Sequence, residues 1–149
     1  MSEEVDELDE LILKELRKDA RQSYRKIAEK LKVATGTVQN RIQKMEREKI
    51  INRYHADIDY EKLGYKISAI IAICVNRSNL REVEDMLEKN PNVFGLFDVT
   101  GEYDIFLSIS FKGMEELNSF ITKELKNPYI TKSVTFIILK TKKEAHTFL

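Results

Sequence analysis

Along the first third of the chain, apolar positions recur every three or four residues. In residues 6–18, DELDELILKELRK, Leu8, Leu11, Ile12 and Leu16 form one stripe, with Asp6 placed as an N-cap and Asp9 at the capping-box position. In residues 23–31, SYRKIAEKL, Ser23 caps and Ile27, Ala28 and Leu31 repeat at i, i+1 and i+4. Only Lys32-Val33-Ala34 separates this run from a third, which opens at Thr35, a second N-cap candidate, and carries Val38, Ile42 and Met45 on one narrow stripe. So short a connection makes the two helices cross steeply, as a helix-turn-helix does, and the first helix is needed to close their core.

Beyond Gly64 the period becomes two. Residues 67–75 (ISAIIAICV), 93–99 (VFGLFDV), 103–111 (YDIFLSISF) and 133–140 (SVTFIILK) are rich in β-branched and aromatic residues and predict strands. Residues 79–90, with Leu80, Val83, Met86 and Leu87, and residues 114–125, with Met114, Leu117, Phe120, Ile121 and Leu125, have helical spacing. The order βαββαβ is the split arrangement of a ferredoxin-like domain, and right-handed crossovers put both helices on one side of the sheet. The chain is thus predicted as α+β. It divides into a helix-turn-helix domain (1–53), a hinge (54–65) and a ferredoxin-like domain (66–149), with Ile50, Ile51 and Tyr54 following the third helix as a strand or an anchor.

The strands are apolar on both faces. Ile67, Ala69, Ile71 and Ile73 oppose Ile70, Ala72 and Cys74, and Val134, Phe136 and Ile138 oppose Ile137 and Leu139. Helices cover one face only, so the other requires a cover, and the economical one is the same face of a second copy in a two-fold homodimer.

Charge sharpens the reading of the helical part. The 149-residue chain is formally neutral, but residues 14–53 carry 13 Lys and Arg against five Asp and Glu, while residues 1–13 carry six acids and no base. A basic module of this kind suits phosphates, whose counterions are released on binding. The third helix presents Gly36, Asn40, Gln43, Lys44 and Arg47 opposite its apolar stripe, with Thr37 and Arg41 on one flank and Gln39 on the other. Glu46 and Glu48 come only at its end. That face is built to donate hydrogen bonds. Thr35, Gly36, Thr37, Asn40, Gln43 and Lys44 are candidates for base edges and nearby phosphates in double-stranded DNA, and Gln39, Arg41 and Arg47 for the backbone.

Other chemistries find little support. The single cysteine, Cys74, lies in a strand, His55 and His146 lack a third ligand nearby, and no phosphate-binding or dinucleotide glycine pattern is present, so no metal, cofactor or catalytic residue is assigned. The N-terminus is acidic rather than signal-like, and the longest apolar stretch, around residues 67–75, is too short to span a bilayer, which points to a soluble cytoplasmic protein. Residues 99–106, VTGEYDIF, place Gly101 at a turn with Tyr103 and Asp104 just beyond. This is either a turn whose Asp caps backbone amides and whose Tyr packs on the sheet edge, or a sensory loop.

The chain resembles the Lrp/AsnC, or feast/famine, transcriptional regulators. The resemblance runs through VDELDELILKEL, DARQSYRKIAEKL, TGTVQNRIQKMEREKII, YHADIDYEKLGY, VTGEYDIFLSI and SVTFIILKTKKE, in that order. It implies a winged helix-turn-helix joined by a hinge to a ligand-sensing ferredoxin-like domain, with dimers assembling into tetramers or octamers. It also implies an amino acid or related metabolite as effector at an interface between dimers, near Gly101, Tyr103 and Asp104. Where the family has Pro-Gly-Val before the last strand, this chain has Asn127-Pro128-Tyr129-Ile130. Two other readings compete. One is a sensory assembly module that does not touch DNA. The other is an acylphosphatase-like hydrolase, for which Arg77 is a poor substitute for a buried anion-binding arginine.

Overall fold

A computed structural model describes residues 5–141, which fall into two compact units, one up to Ile58 and one from Asp59. In the first, helices α1 (Glu7–Lys18), α2 (Tyr24–Leu31) and α3 (Thr35–Arg47) enclose a core of Ile12, Leu16, Ile27, Ala28, Val38, Ile42 and Met45. The α1 cap is reciprocal: the Asp9 amide donates to the Asp6 carboxylate at 3.0 Å and the Asp6 amide to Asp9 at 3.3 Å. Ser23 accepts from the Lys26 amide as the cap of α2. The predicted stripe needs one correction. Leu11 is exposed, because it lies about 140° around the helix from Leu16, and the half-buried Leu13, about 60° from Leu16, packs on the core instead.

Glu15 sits at the edge of that stripe and is only 8% exposed. Its carboxylate receives Lys18 Nζ and, from α2, Lys30 Nζ, both at 2.5 Å, and the Gln22 amide donates to its carbonyl at 2.8 Å. Lys18 first and Lys30 second hold the Glu15 carboxyl down at about 2, against an ordinary 4.5. A depressed folded-state pKa contributes stability that is complete above the unfolded value and is lost as pH falls through the folded one. The helical unit is therefore expected to lose stability between about pH 4.5 and 2, and Glu15→Gln to flatten that part of the profile; melts followed by circular dichroism across the interval measure it.

Two further expectations at α3 are revised. Thr35 is the first helical residue rather than the cap; Ala34 occupies the cap position and offers no side-chain hydrogen bond. After the helix, among the described residues, no strand and hence no wing precedes Ile67. Residues 50–54 are the anchor: the Ile50 and Ile51 amides both donate to the Met45 carbonyl, Ile51 packs on the core, and the Tyr54 hydroxyl donates to Glu46 at 2.7 Å.

The second unit is a four-stranded antiparallel sheet in the order β2-β3-β1-β4, built from β1 (Ile67–Val75), α4 (Leu80–Glu88), β2 (Val93–Asp98), β3 (Ile105–Phe111), α5 (Met114–Lys123) and β4 (Ile130–Ile137). Ala69, Ile71, Ile73 and Val75 of β1 and Ile105, Leu107, Ile109 and Phe111 of β3 pack with Val83 and Leu87 of α4 and Leu117 and Phe120 of α5. The last strand begins three residues earlier than its apolar run suggests. Ile130 pairs with Val75 across a bulge at Cys74 and Val75, and the polar Thr131, Lys132 and Ser133 belong to the ladder because an edge strand need not be apolar. The third strand begins at Ile105, two residues later than expected, leaving Tyr103 and Asp104 in the connection.

Candidate nucleic-acid interface and sensory loop

Helix α3 keeps Val38, Ile42 and Met45 fully buried, which fixes what its other sides can reach. Thr35, Gly36, Gln39, Asn40, Gln43 and Arg47 are exposed, and Thr37, Arg41 and Lys44 form a half-buried flank. Six of the nine candidate residues thus share one open surface on a helix long enough to lie in a major groove. Arg41 does not point into that surface. Its Nη1 reaches Asp6 of the α1 cap and both carboxylate oxygens of Asp9 at 3.2 Å. These contacts raise the guanidinium pKa, Asp6 contributing most, and the Asp6 carboxyl is lowered, chiefly by the Asp9 amide and then by Arg41. The acids of the first helix, read from sequence as lying apart from the basic module, serve as its internal counter-charges. Spacing along α1 could have shown this, since Asp9 and Glu15 lie on either side of Ile12 and Leu16.

In the second unit, Gly101, Tyr103 and Asp104 lie together in the connection between β2 and β3. Gly101 takes φ +132°, which an L side chain rarely adopts. Asp104 is a link between strands: its amide donates to the Ile73 carbonyl at 2.9 Å, its carbonyl accepts from Val99 at 3.0 Å, and its Oδ2 accepts from the Val75 amide at 2.8 Å. That last bond satisfies the amide at the β1 bulge. Tyr103 packs edge-on against Phe106, and Lys132 Nζ stands 4.9 Å over its ring while pairing with Glu102 at 2.7 Å. Glu102 first, then Tyr103, raises the Lys132 pKa, and Lys132 lowers that of Glu102. The loop thus carries a carboxylate that holds the Val75 amide and an aromatic face covered by Lys132 of β4, which pairs with Glu102. Tyr129 packs into the helix-side core while its carbonyl accepts from Asn76 at 2.8 Å.

The face away from α4 and α5 is apolar and open. Pairing sets Phe106 and Val134 opposite Ala72, Phe136 opposite Ile70, and Phe97 opposite Phe106. Phe97 is 57% and Phe136 52% exposed. A Cβ at Gly95 would lie 2.7 Å from the Phe97 ring, so glycine lets that ring lie flat along its own strand.

Among the described residues no group of three acids, histidines or cysteines is placed to hold a metal, and no helix is long and apolar enough to cross a membrane. Arg77 is exposed in a short 3-10 turn after β1.

The comparisons with known proteins agree with this layout. The chain matches the AsnC-type helix-turn-helix domain over residues 5–46 and the Lrp/AsnC ligand binding domain over residues 68–148. It is 41% identical over 141 residues to an uncharacterized HTH-type transcriptional regulator of Pyrococcus furiosus, covering 95% of each chain. LrpC of B. subtilis superposes with a TM-score of 0.87 at 27% identity, over 96% of this chain and 100% of that one. The transcriptional regulator NMB0573 of Neisseria meningitidis, solved as a complex with L-Met, superposes with a TM-score of 0.93 at 21% identity, over 98% and 97% of the two chains.

Proposed function

The chain belongs to the Lrp/AsnC family of transcriptional regulators, and from that premise we propose that it is a sequence-specific DNA-binding regulator that acts as a homodimer and responds to an amino acid or related metabolite. The observation that carries the first part is the exposed, acid-poor donor face of α3 above a buried stripe. Asn40 and Gln43 have side-chain amides suited to the N6 and N7 edge of adenine, while Thr35, Gly36, Thr37, Gln39, Lys44 and Arg47 are placed for phosphates and neighbouring bases. Two such helices in a two-fold dimer meet successive major grooves about 34 Å apart. Asn40→Ala is expected to weaken binding to the preferred duplex by about 1–3 kcal/mol more than binding to random duplex. Anisotropy titrations on both DNAs decide it, and equal losses would remove Asn40 from base readout.

The open sheet face supports the homodimer, and the loop at Gly101, Tyr103 and Asp104 supports the effector site. A free amino acid needs an acceptor for its ammonium and donors for its carboxylate; Asp104 supplies the first, and Lys132 with the loop amides the second. L-Met, the ligand of the Neisseria meningitidis regulator, is the first amino acid to test. Higher assembly into tetramers or octamers, and action in the cytoplasm, follow the family pattern.

A further inference from the structure

Helix α1 carries a buried acid on each side of its apolar stripe, and these two each take a cation from another helix. Glu15 takes Lys30 of α2, and Asp9, only 2% exposed, takes Arg41 of α3. The Asp9 carboxylate is shared between the Asp6 amide and Arg41, and the Asp6 carboxylate between the Asp9 amide and Arg41. The cap of one helix is thus the receptor for a side chain of another. Arg41 is the neighbour of Asn40, so the contact that holds Arg41 against α1 adds a polar tether to the rotation of α3 that the burial of Val38, Ile42 and Met45 already sets. The start of that helix has no side-chain cap, since its N-cap residue is Ala34.

We propose that Asp6 and Asp9, acting through Arg41, are positioning residues for DNA reading, and that Arg41 turns the recognition face outward instead of contacting a phosphate. The proposal rests on the reading of α3 as the DNA-binding helix, and it makes a prediction opposite in sign to simple electrostatics. Removing an acid from a basic module should tighten its hold on a polyanion. If the acid instead sets the pose of the helix, its removal weakens binding.

The test uses the full-length protein, wild type and the variants Asp9→Asn, Asp6→Asn, Arg41→Ala, Arg41→Lys and Asp9→Asn/Arg41→Ala. Each is titrated with a random-sequence duplex pool and with the best duplex selected from it, across a salt series. Asparagine keeps the cap hydrogen bonds in both acid variants while deleting the charge, and melting curves confirm that each is folded. Should Asp9→Asn not fold, the half-exposed Asp6→Asn answers by the same criteria. The expected result is that Asp9→Asn lowers affinity for the selected duplex at least about fivefold, more than for the pool, and leaves the salt slope unchanged. Arg41→Ala should do the same, Arg41→Lys should recover part of the loss, and the double variant should be no weaker than Arg41→Ala alone. Tighter binding by Asp9→Asn, or a slope reduced by about 0.9 in Arg41→Ala, overturns the proposal, because the latter is the signature of a lost phosphate contact. A wild-type protein with no salt-dependent duplex binding overturns the DNA reading itself, and this inference with it.

Discussion

Phe136→Glu is expected to turn the proposed homodimer into a monomer that still folds. Within one chain the ring is 52% exposed and stands on an edge strand, so replacing it with a carboxylate costs the isolated unit little. In a two-fold dimer closed sheet to sheet, the same position meets the partner's apolar face. Burying an unpaired carboxylate there costs several kcal/mol, and symmetry imposes the penalty twice. At about 1.4 kcal/mol per tenfold, the dimer dissociation constant should rise by more than about two orders of magnitude. Affinity for DNA should fall with it, because each recognition helix then binds its half-site without the effective concentration supplied by the other. Light scattering over a concentration series gives the mass directly. A Phe136→Glu protein that remains dimeric would mean that the interface lies elsewhere and that the open face has a different occupant.

Much of this architecture is legible in the residues. The three-helix unit follows from stripes whose buried members, Ile12, Ile27, Val38, Ile42 and Met45, recur at helical spacing, and the βαββαβ order follows from the change of period after Gly64. What escapes the sequence is pairing between segments remote in the chain. Asp9 looks like a surface acid until α3 brings Arg41 to it, 32 residues away. The start of β4 is hidden because Thr131, Lys132 and Ser133 are polar, and only the ladder with β1 shows that they are strand. Leu11 is misplaced for the opposite reason: an apolar residue adjacent to a core position reads as core, although it lies about 140° around the helix from Leu16, the stripe's other buried member. Asp104 is the most instructive case. By position it looks free to face a ligand, whereas its Oδ2 already holds the Val75 amide at 2.8 Å. The cap is therefore present, and the variants that test a sensory role have to separate that role from it.

Asp104→Ala and Asp104→Asn are accordingly expected to differ in stability and to agree in sensing. Val75 is only 6% exposed, so alanine leaves its amide without an acceptor in a place that water reaches poorly. An orphaned buried donor costs about 1–3 kcal/mol, which for a domain of this size lowers the melting temperature by on the order of 10 °C. Asparagine presents a carbonyl oxygen in the same position and keeps the bond, so its melting temperature should stay within about 3 °C of wild type. Neither variant carries the charge that an ammonium group would meet. If the loop is the effector site, both lose a charge-assisted hydrogen bond worth about 1.5–3 kcal/mol, so amino-acid affinity should fall by roughly ten- to a hundredfold in each. Calorimetric titration of a panel that includes L-Met, on wild type and on Asp104→Asn, separates the roles because the second protein is as stable as the first. Undiminished binding by Asp104→Asn would leave the carboxylate as a strand cap alone, and the sensory site would have to be sought away from this loop.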